Sequence, residues 1–355
     1  MINPKFVPGY SENYNLTIQR ELPAHMVFSV GYVGAEGRHE QITIEQNPIT
    51  MAGAALCAAD PNCVSNAVLQ HPLFPTHSVF PGNEFGSIGQ EASFGNSNYN
   101  SLQVSLNKAP THGLSLLASY TYAHSLDISS SFENADVSGT SLGTNPFNPR
   151  LDYADSLFDV RQRLVTSFTY EIPNFSHVRG LGWLPDRFAN GWRITGIDTL
   201  QTGLPVVIKD SGFTSLTCDA LSFYGCWDLP NKVAPVQTFN ARNSTFTNNN
   251  PAGSGTPLNN YFFNPNDFAV ATLGTIGDAG RNPFHGPGLN NMDIVFAKDT
   301  RITESTRLEL RFEAYNVFNH AQFFNPVGDI NASNFGQVVQ AHDPRLIQLG
   351  AKFYF

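Results

Sequence analysis

The feature that most constrains this chain is a two-residue alternation of apolar and polar side chains, recurring in segments of about ten residues. From Arg307 to Tyr315, Leu308, Leu310, Phe312 and Ala314 fall on one face, and Arg307, Glu309, Arg311 and Glu313 on the other. Extended chain sends successive side chains to opposite faces, whereas a helix would spread these residues round its circumference. The pattern returns at Tyr14, Leu16 and Ile18, and at Met26, Phe28, Val30 and Tyr32. It continues at Leu102, Val104 and Leu106, then at Leu114, Leu116, Ala118, Tyr120 and Tyr122. Further sets are Leu164, Thr166, Phe168 and Tyr170, then Trp192 and Ile194, then Met292, Ile294 and Phe296. The last runs from Ile347 through Leu349, Ala351 and Phe353 to Phe355.

This predicts nine strands, near 10–19, 25–33, 98–106, 113–122, 161–171, 191–208, 291–298, 306–315 and 345–355. Their connections alternate in length. Arg20 to Ala24, Asn107 to His112, Pro173 to Asn190 and Asp299 to Ser305 are the shorter ones, while 34–97, 123–160, 209–290 and 316–344 are long and rich in Asn, Gly, Pro and Ser. Residues His39 to Gln46 offer an upward extension of the second strand. Short turns at one end and long loops at the other, with about ten alternating residues per strand, are the pattern of an outer-membrane barrel. The expected fold is therefore all-β, a partial antiparallel transmembrane β-barrel of about nine to twelve strands, with long extracellular loops and short periplasmic turns. Its Leu, Ile, Val and Phe face would meet lipid, and its Ser, Thr, Asn, Gln and charged face a wet lumen. Aromatics near segment ends (Tyr120, Tyr122, Phe168, Tyr170, Phe353, Tyr354) suit the interfacial girdles of such barrels, although aromatics favour strands in general.

Composition agrees. Charged residues make up 14% of the chain, against about 25% in ordinary globular proteins. Gly (29), Phe (28), Pro (23) and Tyr (12) favour strands and turns over helices. A net charge of −9 speaks against nucleic acid as a partner. No apolar run approaches the roughly 18 residues of a membrane-spanning helix. Met1-Ile2-Asn3-Pro4-Lys5-Phe6 has no basic-then-apolar leader, so no signal peptide is expected in this chain.

Several stretches resemble TonB-dependent receptors, specifically the Oar-like group. Arg301-Ile-Thr-Glu-Ser-Thr-Arg307 leading into Leu308-Glu-Leu-Arg-Phe-Glu-Ala-Tyr-Asn-Val-Phe-Asn-His320 is similar to their penultimate strand. Gly280-Arg-Asn-Pro-Phe-His-Gly-Pro-Gly288 and Leu289-Asn-Asn-Met-Asp293 look like the motif that opens a strand. Gly191-Trp-Arg-Ile-Thr-Gly-Ile197, Thr202-Gly-Leu-Pro-Val206 and Phe158-Asp-Val-Arg-Gln-Arg163 are similar to other segments, with Gln162 where His is expected. Tyr10-Ser11 through Gln19-Arg-Glu-Leu-Pro23 also fits. The resemblance runs from near residue 4 to residue 355. It implies a barrel of about 22 strands enclosing an N-terminal plug, localisation in the cell outer membrane, and energised ligand uptake through contact with TonB.

Against that pattern, the plug, the TonB-contacting segment and many strands are missing. Counting back from Phe355, both the last and the first strand descend toward the periplasm, an odd count of nine. Single-chain bacterial barrels have even counts, and an open edge in lipid leaves backbone groups unpaired at several kcal/mol each. The expectation is a single C-terminal barrel segment, 1–355, of a longer receptor, transport-incompetent alone. Its partners would be outer-membrane lipid, the missing plug and N-terminal strands, and TonB through the missing part. Ile347, Leu349, Ala351, Phe353 and Phe355 look like the family's insertion signal, which the barrel-assembly machinery would engage by strand addition.

Other candidates are local. Cys57 with Cys63 and Cys218 with Cys226 pair most simply within single loops, although four cysteines allow three connectivities. Free thiols remain open, and the spacing lacks the C-x2-C of a zinc site. Arg307, Glu309, Arg311 and Glu313 would line the lumen, either touching plug or permeant or forming an ionic ladder between strands. Asp152, Asp155 and Asp159 lack the Gly and final Glu of a calcium loop, so a solvated loop is expected and no metal. His71 and His77 read as surface residues of a Pro-rich loop. No G-x-S-x-G, H-E-x-x-H or phosphate-cradling Gly loop occurs. No enzyme and no cofactor is expected. Besides the receptor reading, a surface structural or adhesive barrel and a soluble carbohydrate-binding β-sandwich stay open.

Overall fold

A computed structural model describes residues 2–47, 88–130, 145, 148–175, 185–212, 227–272 and 275–355. Nine long strands form: β1 Tyr10–Leu22, β2 Met26–Glu45, β3 Gly89–Thr111, β4 Leu114–Asp127, β5 Gln162–Ile172, β6 Trp192–Gln201, β7 Leu289–Arg301, β8 Arg307–Tyr315 and β9 Leu346–Tyr354. Each corresponds to a segment expected from the alternation. They pair antiparallel in sequence order, and the two-residue strand Ala154–Asp155 joins the end of β4 as the tenth member. The sheet is open. Among the described residues β1 and β9 each present an unpaired edge.

The register explains why the alternation matters. Ile18, Val30, Val104, Tyr120, Leu164 and Leu200 are consecutive cross-strand neighbours from β1 to β6. One residue away, Thr17, Gly31, Gln103, Thr121, Arg163 and Gln201 form the matching row on the other face. At the other edge, Phe296, Phe312 and Leu349 align, and so do Ala297, Arg311 and Gly350. The apolar face has no second sheet against it among the described residues: Leu16 is 69% and Leu349 78% exposed. Water would penalise that face by about 25 cal/mol for each Å² left wet, so it requires an apolar medium. A β-sandwich would instead bury this row between two layers, and that arrangement is not seen.

Local chemistry supports the sheet. The β3–β4 hairpin turns on His112 and Gly113, both with positive φ (52° and 79°), as a two-residue primed turn requires. In the wall, Phe168 lies over Gly196, its register partner, where a Cβ would come within 2.5 Å of the ring. An aromatic covering a cross-strand glycine fills space the glycine leaves and helps fix the pairing. Trp192 stacks near Phe296 at 4.9 Å and donates its indole N–H to the Phe188 carbonyl at 2.8 Å.

The main buried apolar core lies outside the sheet, partly in the expected loops 209–290 and 316–344 and partly in the tail of the expected strand 191–208. Val206, Ile208, Phe263, Phe268, Ala279, Ile330 and Phe335 pack together. Phe263 meets Phe268, Phe284 and Phe335 edge-on at 5.2 to 5.7 Å, the favoured aromatic geometry. This corrects the expected strand 191–208. β6 ends at Gln201, because Pro205 offers no N–H to a ladder and Gly203 presses so closely on the Gly286 carbonyl that a Cβ would sit at 1.9 Å. Val206 instead bonds to the Phe284 carbonyl and enters the core. The described residues between β6 and β7 and between β8 and β9 thus form a packed cap at the long-loop end.

Candidate functional site

β2 and β3 continue beyond the wall as a paired overhang reaching Glu45 and Gly89. Near its base, three chain segments that are distant in sequence meet: the outer end of β4, residues 148–161, and residues 281–285 of the cap. Arg281 is the tie. Its guanidinium donates to the carbonyls of Asp127 (2.7 Å) and Asp152 (3.2 Å) and to Ser130 Oγ (2.7 Å), and it pairs with the Asp127 carboxylate at 2.7 Å. The two side chains of that pair are only 5% and 4% exposed.

Beside it sits a second network. Arg161 donates through Nη2 to both oxygens of Asp155 (2.8 and 2.9 Å) and through Nε to Asp159 (2.7 Å). His285 Nε2 lies 3.1 Å from Asp159, and His124 Nε2 lies 2.9 Å from Asp155. The backbone N–H of Ser125 donates to Asp159 Oδ1 at 2.7 Å. Burial pushes the Asp159 carboxyl up, but the His285, Ser125 and Arg161 bonds together outweigh it and hold it below its ordinary value. Burial pushes Arg161 down, and its two carboxylate partners more than reverse that.

Asp155, Asp159 and His285 bring ligand atoms within 4.8 Å of one another. The guanidinium of Arg161 already bridges both carboxylates, so the charge that would draw a metal is neutralised from within. The geometry is that of a structural clasp. Asp152 and Asp159 are buried, not solvated as expected, and Asp155 and Asp159 belong to the clasp. The partner His285 lies 126 residues from Asp159 along the chain, a distance no local motif reveals.

On the polar face near the short-turn end, Arg311 pairs along its own strand with Glu313 (2.8 Å) and more loosely with Glu309 (3.6 Å). Arg307 approaches Asp299 at 3.6 Å and covers the Tyr354 ring at 4.3 Å. Tyr354 donates its hydroxyl to Glu309 at 3.2 Å, and Tyr315 to Glu313 at 2.9 Å. The charges therefore form pairs within one strand as well as between strands. Ile347, Leu349, Ala351 and Phe353 lie on the apolar face of β9, opposite Ala314, Phe312, Leu310 and Leu308. Phe355 follows, its ring 6.3 Å from that of Phe353. Cys57, Cys63, Cys218 and Cys226, with His71 and His77, lie outside the described residues. Among those residues no helix is long and apolar enough to cross a membrane, which says nothing of strands.

No curated protein matches the sequence. Solved structures with a similar chain course include the outer membrane transporter YddB from Escherichia coli (9% identity, TM-score 0.49, 99% of this chain and 33% of that one). The pyoverdine outer membrane receptor FpvA from Pseudomonas aeruginosa matches at 11% identity, TM-score 0.44, over 99% of this chain and 30% of that one. The ferric-catecholate import receptor Fiu from E. coli K12 matches at 10% identity, TM-score 0.42, over 99% and 29%. The chain thus spans about a third of the length of these solved structures. The family profile described as outer membrane beta barrel domain matches residues 1–348. With an open antiparallel wall whose apolar face has no second sheet against it among the described residues, and with that match over nearly its whole length, this chain belongs to the outer membrane beta barrel domain family.

Proposed function

We propose that this sheet is the C-terminal part of the wall of a TonB-dependent receptor, a non-enzymatic protein for ligand binding and uptake. The observation that carries the reading is the open nine-strand wall. β1 and β9 run in the same direction, so they cannot close on each other with the antiparallel pairing used everywhere else in the sheet. Edges exposed to lipid cost several kcal/mol per unpaired backbone group. Further strands therefore complete the barrel, and an odd number of them restores an even total.

In this reading the charged row of Arg307, Glu309, Arg311 and Glu313 faces a plug inside the completed barrel. The cap and the overhang face the exterior and receive ligand. β9, with Ile347, Leu349, Ala351, Phe353 and Phe355, offers the edge that the assembly machinery engages. TonB contact and energised transport belong to the completed receptor, and residues 1–355 alone do not transport. The sequence similarity at Gly280–Asp293 and Arg301–His320 supports the receptor reading over a purely adhesive barrel.

The test places a photo-crosslinking amino acid at Thr17, on the free edge strand β1, in cells that assemble the protein in their outer membrane. Crosslinked peptides should come from outside the β1–β9 segment. A dominant crosslink to 346–354 of the same chain would mean that the wall closes on itself, and the reading would fail.

A further inference from the structure

Two adjacent irregularities interrupt the β2–β3 overhang. Between the Gly37–Ser97 and Glu40–Gly95 pairs β2 carries an extra residue, and between Glu40–Gly95 and Gln41–Ser93 β3 carries one, Phe94. His39 in the first bulge has φ of 55°, a conformation that a residue with a Cβ adopts at a cost. Bulges re-aim side chains, and these two aim His39 and Phe94 into one pocket of about 450 Å³. Ser93, Asn96, Ile128, Arg150 and Tyr153 complete its wall.

The pocket's chemistry is one-sided. Arg150, held by the 3-10 turn Pro149–Asp152, lays its guanidinium over the Phe94 ring at 5.7 Å. Among the described residues it has no carboxylate partner. Among the described residues His39 has no carboxylate partner, and its ring lies 5.8 Å from that of Tyr10. The nearby acids are engaged elsewhere: Glu36 accepts from Arg38, and Asp127 is held by Arg281. A guanidinium and an imidazole with no carboxylate against them among the described residues thus stand beside an aromatic floor, next to the Asn96 amide and the Ser93 and Tyr153 hydroxyls.

We propose that this pocket binds a small oxyanion carried on an aromatic body, with the anion on Arg150 and His39 and the ring against Phe94 and Tyr153. A guanidinium recognises a carboxylate through its paired N–H groups, and the ring edge is matched by the neighbouring aromatics. The site lies on the overhang that receives ligand in the proposed function, so this inference rests on that reading and names a ligand class for it; a wall completed by further strands that ignores benzoate would sink this inference alone.

The probe is benzoate, followed by ligand-observed NMR on the full chain in uncharged detergent. Benzoate is expected to bind with a dissociation constant of about 1 mM or tighter. Benzyl alcohol, which has the ring without the charge, and inorganic phosphate, which has the charge without the ring, should each bind at least about tenfold more weakly. Arg150→Gln and Phe94→Leu should each weaken benzoate by about tenfold or more. Arg150 is exposed, so its variant should keep the wild-type circular dichroism. Absence of benzoate binding to the wild-type chain would overturn the proposal. So would benzoate binding that Arg150→Gln with unchanged dichroism leaves intact.

Discussion

Replacing Arg281 should open the cap without unmaking the wall. Arg281→Met removes a guanidinium that is 5% exposed and leaves Asp127, 4% exposed, as a buried carboxylate without its cation. The carbonyls of Asp127 and Asp152 and the hydroxyl of Ser130 lose a donor at the same time. Breaking a buried pair from one side costs about 3–5 kcal/mol, because the stranded charge keeps its desolvation penalty. Local opening of the cap should then rise by roughly two to three and a half orders of magnitude. Native-state proteolysis of the membrane-assembled protein reads this directly, as faster cleavage within 227–288. The double variant Arg281→Met with Asp127→Leu should recover much of the loss, since replacing both charges by apolar groups is often near neutral. Cleavage of the single variant at the wild-type rate would refute the view that this pair fastens the cap to β4.

Three further perturbations probe other parts. Because the Asp159 carboxyl is held below its ordinary value of 3.8, its contribution is fully present above that value and is lost as pH falls through the lower folded value. Asp159→Asn should abolish this acid-range step in a cap-opening titration, whereas an unchanged step would assign it to another group. Gly196→Ala should destabilise the wall by about 1–3 kcal/mol through collision with Phe168, and adding Phe168→Ala should relieve part of that; equal stability of Gly196→Ala and wild type in urea would contradict the contact. Val104→Arg should cost about 2–4 kcal/mol if its row faces mid-membrane, with Gln103→Arg on the opposite face much milder; equal costs would remove the distinction between the faces.

The wall was legible in the sequence because a two-residue period is a local property. Ile18, Val30 and Val104 each announce their face without reference to a neighbour, and the register then aligns them. The upper parts of β2 and β3 lacked that signal. Beyond the apolar band, Glu36, Arg38, Glu40 and Gln41 leave neither face apolar, so only the extension at His39 to Gln46 could be suggested. Val206 and Ile208 misled in the opposite sense, since their alternation serves a Phe-lined core and not the wall. The clasp was beyond reach. Asp155, Asp159 and Arg161 are close in sequence, but the partners that fix them in place arrive from His124, Asn282 and His285. Local charge density looks the same whether such carboxylates are solvated or clasped.

The apolar row of this wall meets acyl chains in the proposed barrel. Nitroxide labels placed singly at 308 to 313 along β8 in membrane-assembled protein measure it, through their relative collision rates with oxygen and with a water-soluble nickel chelate. Oxygen should dominate at positions 308, 310 and 312 and be low at 309, 311 and 313, a clean period of two. Uniformly low access to both reagents at 308, 310 and 312 would place those side chains against another protein layer and contradict it.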